Sequence, residues 1–260
     1  MSASPSPSPS DARIRVLILG GWSPGPLDTI RWVTRGDAID FFEPPLHMPP
    51  AGCRWCCTWE CLLICVCIYL TAGFSSGHMS ASDWPAPLRI LAVLGCILSI
   101  FLAVVLLVRG SIRRCVWTAT RMIANQHIDV VVGFSWGGGV ACWLLAEHRW
   151  HGPTLLLAPT LAAMTACARL PTPTFRARGA DNERDANADD ASAPPFVSIF
   201  HATDDGFCPD SQHAPLAASG AAMHTCDDVH VFCMPQSEQE IVAAFGACVD
   251  MARRSRWRGR

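Results

Sequence analysis

Short apolar runs separated by turn residues organise this chain. Arg15 to Leu19 is one such run, closed by Gly20-Gly21, and Ala38 to Phe42 is another, closed by Glu43-Pro44-Pro45. Both predict buried strands stopped by residues that break regular structure. Ile128 to Val132 is dominated by β-branched residues, the composition of a strand in the middle of a parallel sheet. Thr154 to Leu157, Phe196 to Phe200 and a weaker run at Ala222 to Cys226 supply further strands. Ser111 to Gln126 has helical character, with Trp117, Met122 and Ile123 at compatible spacing, and Trp136 to Glu147 suits a second helix. Strand and helix therefore alternate through the second half, which predicts an α/β fold with a mostly parallel sheet flanked by helices.

One stretch does not fit an ordinary soluble domain. Ile90 to Val108 is 19 residues without a charge, bounded by Arg89 on one side and by Arg109, Arg113 and Arg114 on the other. That is about the length needed to cross a hydrocarbon core. Cys61 to Phe74 is a weaker, 14-residue run that extends backward through Trp59 only by burying Glu60. The polar connection from Ser75 to Leu88 carries Trp84 between Asp83 and Pro85, where an interfacial anchor would sit. The two runs together predict a transmembrane hairpin over 51–110, inserted into a domain made of 13–50 and 111–250. The Arg cluster after Val108 places that domain in the cytosol by the positive-inside rule. The Ser/Pro-rich residues 1–12 and the polar insert 176–195 are expected to be disordered. Residues 251–260, with Arg253, Arg254, Arg256, Arg258 and Arg260, read as a basic tail suited to an anionic membrane surface.

Composition agrees with a membrane contact and removes several chemistries. Half of the 260 residues are hydrophobic and 16% are charged, and the net charge of −2 disfavours nucleic acid as a partner. All twenty basic residues are Arg, so Schiff-base chemistry and the phosphate-binding P-loop lysine are excluded. The single tyrosine, Tyr69, lies inside an apolar run and disfavours enzymes that use a Tyr proton donor. Fourteen cysteines in a chain whose first residues carry no apolar signal core read as reduced thiols. Six of them crowd into Cys53 to Cys67. The Cys53/Cys56 pair has zinc-like spacing, but no second pair follows at a finger-like distance, so no metal is expected. Cys53, Cys56 and Cys57 are acylation candidates beside the membrane segment, or simply small apolar side chains there.

The residues that carry chemistry centre on Gly133-Phe134-Ser135-Trp136-Gly137, a G-x-S-x-G sequence directly after a buried strand and before a helix. A Ser on such a turn projects its hydroxyl above the sheet edge, and Gly133 and Gly137 let the chain turn without collision. The Trp136 amide, at the helix N-terminus, points where an oxyanion would form. A hydroxyl at its normal pKa is a poor nucleophile, so Ser135 requires a base and the base an orienting acid.

The segment His201-Ala202-Thr203-Asp204-Asp205-Gly206-Phe207-Cys208-Pro209 follows the strand at Phe196 to Phe200 and resembles the strand-end H-G-x-x-D-x-x-V-P of α/β-hydrolases. Ala202 stands in place of the Gly and Cys208-Pro209 in place of Val-Pro. The resemblance implies the order Ser, acid, His, with Asp205 as the triad acid and Asp204 as its nearest competitor. Asp227-Asp228-Val229-His230 resembles the D-H turn that carries the family's His, with Val229 intervening, which favours His230 over His224 and His213. Ile18-Leu19-Gly20-Gly21-Trp22-Ser23 occupies the place of the family's H-G-x loop and implies Trp22 as the second oxyanion donor beside Trp136.

The resemblance covers about residues 13–50 and 111–250 and implies a cofactor-free serine hydrolase cleaving an ester or thioester, with membrane lipid as partner and a small acyl ester or thioester as substrate. The alternative in another class is an inactive α/β-hydrolase-like membrane scaffold.

Overall fold

The computed structural model describes residues 13–21, 25–35, 37–46, 85–178 and 195–258. The first hydrophobic leg at Cys61 to Phe74, the Cys53 to Cys67 cluster, Trp84, Trp22 and the low-complexity tail lie outside them.

Among the described residues, six strands form one sheet in which every pairing is parallel. They are β1 (Ile14–Leu19), β2 (Ile39–Phe42), β3 (Val130–Phe134), β4 (Thr154–Leu157), β5 (Val197–Asp204) and β6 (Ala222–Val229), in the spatial order β2-β1-β3-β4-β5-β6. The helices are α1 (Leu27–Val33), α2 (Ala86–Gln126), α3 (Trp136–Ala146), α4 (Leu161–Ala168), α5 (His213–Ala217) and α6 (Pro235–Arg258).

The alternation of each strand feeds two separate cores. Leu17, Leu19, Val131, Leu156, Val197 and Ile199 point to one face and pack with α2, α3 and α4. Ile14, Val16, Ile18, Val130, Val132 and Leu155 point to the other and pack with α1 and α6. Both faces of the sheet are covered, which is why its strands read as near-continuous apolar runs.

Three expectations change. First, the predicted membrane segment and the helix after it are one element, because α2 runs 41 residues without a break across the expected boundary at 110/111. Pro85 and Pro87 suit its first turn, and His127 closes it in the left-handed conformation. Its character changes along its length: Ile90, Leu91, Leu94, Ile97 and Leu98 are exposed, whereas burial begins at Ala103, Val105 and Val108. From there Ile112, Cys115, Val116 and Ala119 recur on one helical face and are buried against the sheet.

Second, residues 251–258 are the final turns of α6 rather than a tail. Met251 and Ala252 are buried, since they continue the apolar face begun by Ile241, Phe245 and Cys248. Third, the polar insert is ordered at its start, where Arg178 bridges to Phe196 and Ala177 donates its N–H to the Ser219 carbonyl. Residues 179–194 lie outside the described part. The eight described cysteines are all free thiols.

Candidate active site

Ser135 sits between β3 and α3, at the C-terminal edge of the sheet where the strand order reverses between β1 and β3. Such a switch point opens a crevice in parallel α/β sheets. Its backbone is at φ 53°, ψ −118°, a sparsely populated conformation that costs about 1–3 kcal/mol and persists only when neighbours impose it. They do so here by hydrogen bonds: the Ser135 N–H donates to Leu157 O at 2.9 Å, and its carbonyl accepts from Gly139 N and Thr160 N, each at 3.1 Å. The turn is so tight that a Cβ on Gly137 would lie 2.0 Å from the Leu19 carbonyl oxygen, and one on Gly21 would lie 2.6 Å from Ser135 Cβ. The Gly20-Gly21 backbone thus passes directly beside the serine. Trp136 is the first residue of α3, so its amide has no acceptor within the helix.

β5 and β6 bring the other two groups to the same edge. Asp205 immediately follows β5, and its side chain is fully buried. One carboxylate oxygen accepts from the amides of Phe207 at 2.8 Å and Cys208 at 3.1 Å, while the other lies 2.6 Å from His230 Nδ1. An ionised carboxylate only accepts, so Nδ1 carries the proton and Nε2 is left to accept from the Ser135 hydroxyl, 2.9 Å away. Burial works to raise the Asp205 pKa, but the His230 and amide hydrogen bonds with the His230 charge outweigh it and hold the carboxyl below the usual range. The His230 ring is further held between Phe134 and Phe207, whose ring centroids lie 5.4 and 5.2 Å from it.

The competitors are elsewhere. Asp204 is the last residue of β5, and it is exposed. The ring of His224 stacks on Phe200 at 4.4 Å, inside β6. Trp22 lies outside the described residues.

Three contributors escape the sequence. Asp228, 6% exposed, accepts the amides of Val229, Cys233 and Met234 and so ties down the loop that carries His230, where Phe232 adopts a positive φ. An acid two residues before a candidate His is the only local signal for it. Cys208 and Gln212 brace the loop after β4. The Cys208 thiol contacts the carbonyls of Ala158 and Pro159, and the Gln212 amide donates to Pro159 O and accepts from Ala162 N.

Asp205, Cys208 and His230 also present potential ligand atoms within 4.8 Å of one another. Their chemistry fits a metal poorly, since Asp205 and His230 satisfy each other and burial raises the Cys208 pKa, keeping the thiol protonated.

The parallel sheet, the strained strand-to-helix turn and the chain order Ser, Asp, His together define an α/β-hydrolase-like architecture. No protein-family model matches the sequence, and neither does any curated protein. Among solved structures, the chain is similar to a Xanthomonas campestris pv. campestris protein assigned to the α/β hydrolase superfamily, at 18% identity and a TM-score of 0.49 over 92% of this chain and 99% of that one. It is similar to MGS-M1, an α/β hydrolase from a Medee basin deep-sea metagenome library, at 15% identity and a TM-score of 0.46 over 98% of this chain and 89% of that one. An esterase/lipase from an uncultured bacterium aligns at 14% identity and a TM-score of 0.47 over 94% of this chain and 77% of that one.

Proposed function

We propose that this protein is a membrane-anchored serine hydrolase that cleaves a carboxylic ester or thioester, with Ser135 as nucleophile, His230 as base and Asp205 as orienting acid. The observation that carries the proposal is the continuous hydrogen-bonded chain from Ser135 Oγ through both His230 nitrogens to Asp205, on a strained strand-to-helix turn of the kind that holds a nucleophilic serine.

Ser135 Oγ attacks the acyl carbon as His230 Nε2 takes its proton, and Asp205 stabilises the imidazolium without itself becoming protonated. The Trp136 amide, with a second donor from the chain after Gly21 where Trp22 falls, stabilises the tetrahedral oxyanion. The C–O or C–S bond then breaks, the leaving group takes the proton from His230, and an acyl-serine remains. Water attacks this ester with His230 again as base, which releases the carboxylic acid and restores the hydroxyl.

Membrane attachment is supported by the uncharged stretch Ile90–Val108 of α2. About 28 Å of helix at 1.5 Å per residue, it is mostly exposed, and its buried residues Ala103, Val105 and Val108 lie at the end that meets the domain. Arg109, Arg113 and Arg114 at its end favour a cytosolic hydrolase domain.

Labelling of the full chain in membranes with a fluorophosphonate tests the chemistry. Ser135-dependent labelling is expected, and folded protein that does not label would favour the scaffold alternative. Carbonate extraction tests the anchor, since a chain released into the supernatant would remove it.

A further inference from the structure

The direction in which α2 leaves the domain places a constraint on the substrate. At the N-terminal edge of the sheet, the Arg15 guanidinium donates to Gln126 O at 2.8 Å and Asp129 N donates to Arg15 O at 2.8 Å, which fixes the end of α2 beside the start of β1. The helix therefore runs antiparallel to the strands. Its 41 residues extend about 61 Å, whereas the six-residue β1 rises about 20 Å. The excess must project beyond the opposite edge, and that edge carries Ser135.

Contacts along the helix agree. Arg109 donates to the carbonyls of Ala168 at 2.7 Å and Arg169 at 3.0 Å, at the end of α4, and the residue before α4, Thr160, hydrogen-bonds the Ser135 carbonyl. The Arg169 guanidinium lies over the Phe101 ring at 5.3 Å, where the exposed apolar stretch takes over. Two arginines, Arg109 and Arg169, thus meet the apolar shaft on the serine's side of the sheet, as a headgroup layer would require.

A second feature on the same edge is independent of α2. Phe207, Val231 and Met234, in the loops after β5 and β6, are exposed although large and apolar; the Phe207 ring lies 5.2 Å from that of His230, and Val231 and Met234 belong to the loop that carries it. Exposed apolar tips beside a polar site suit insertion into the boundary between headgroups and acyl chains, which is the depth at which the ester carbonyls of glycerolipids lie.

From these two features we infer that the mouth of the Ser135 site faces the bilayer crossed by α2, and that its substrates are glycerolipid esters drawn from that same membrane. This rests on the hydrolase assignment above. The apolar shaft is the tether, and the rim of Phe207, Val231 and Met234 presses the site against lipid.

The test uses the full chain reconstituted in dioleoylphosphatidylcholine vesicles containing dioleoylglycerol. Oleate release is compared when the lipid shares the protein's vesicles and when it is confined to separate ones, with soluble p-nitrophenyl butyrate as reference in every sample. Oleate release about 100-fold faster from the shared vesicles is expected, because the tether raises the effective substrate concentration. Val231→Asp and Met234→Asp should lower the ratio of oleate release to butyrate turnover about tenfold by putting a charge into the interface. Butyrate hydrolysis that depends on Ser135, with no oleate release or with equal rates from the two vesicle populations, would overturn the inference and leave the hydrolase assignment standing. Loss of both activities in folded protein would overturn the assignment and this inference with it.

Discussion

His230 Nε2 lies 2.9 Å from Ser135 Oγ although the two residues are 95 positions apart in the chain. Groups that share one proton path act as a unit, so their removal is not additive. Ser135→Ala and His230→Ala should each lower kcat on a soluble ester by about 10⁴-fold or more, and the double variant should be no worse than either alone. Steady-state kinetics on the three variants measures this, and a double variant that multiplies the single losses would contradict a shared proton path.

Asp205 and Asp204 are adjacent, yet one is buried against His230 and the other faces solvent. Asp205→Asn should leave the geometry nearly intact but favour the wrong imidazole tautomer, lowering kcat by about 10⁴-fold. Asp204→Asn should stay within about twofold of the parent, as surface substitutions usually do. Equal losses in the two variants would show that the buried carboxylate is not the one that matters.

The backbone crossing at the serine turn leaves no room for a side chain. In Gly137→Ala the new methyl would meet the Leu19 carbonyl at 2.0 Å, and backbone cannot yield as a side-chain tip can. A loss of about 1–3 kcal/mol or more in stability is expected. Gly246, inside α6, has nothing within 4 Å of a Cβ. Gly246→Ala should therefore raise stability by about 0.5–1 kcal/mol. Melting temperatures of the two variants should move in opposite directions.

Asp228 also titrates low. Burial works to raise its pKa, but the amides of Met234, Val229 and Cys233, with Ser237, outweigh it and hold the carboxyl below its usual value. Asp205 is depressed in the same sense. Carboxylates whose folded pKa lies below the unfolded value, about 3.9, contribute stability that is complete above that value and is lost as pH falls through the folded one. The melting temperature should hold from neutrality to about pH 4 and fall below it. Asp228→Asn should cost about 1–3 kcal/mol at neutral pH through its unmade hydrogen bonds, and it should flatten the acid limb. It should also lower kcat more than it raises KM, because it frees the loop that aims His230. An unchanged acid limb would remove Asp228 from this role.

The described thiols range from fully enclosed to exposed. Cys142 and Cys248 are enclosed by the two cores, and burial pushes each pKa up to about 12. Cys167 and Cys233 are exposed. Iodoacetamide at neutral pH should modify the exposed pair in native protein and reach Cys142 and Cys248 only on unfolding. Mass spectrometry of the digests reads the difference.

Several features were already legible in the amino-acid sequence because their causes are local. A strand buried on both faces must be apolar throughout, so β1, β3 and β4 announce themselves within a residue or two. The Gly133 to Gly137 turn is legible for the same kind of reason, since its conformation excludes side chains at fixed offsets from Ser135. An uncharged run as long as Ile90 to Val108 likewise needs no partner to be noticed.

Only the tertiary structure decided which of two neighbouring acids turns inward and which histidine faces the serine. Asp204 and Asp205 differ by one step along a strand end, and His224 and His230 both follow the acid in sequence. The distinction depends on how β5 and β6 align and on the amides of Phe207 and Cys208 that receive Asp205. The continuity of α2 and the helical end of α6 were equally hidden. Both come from packing of intermittent apolar positions against a sheet assembled from distant segments, a stabilisation that no single stretch of chain contains.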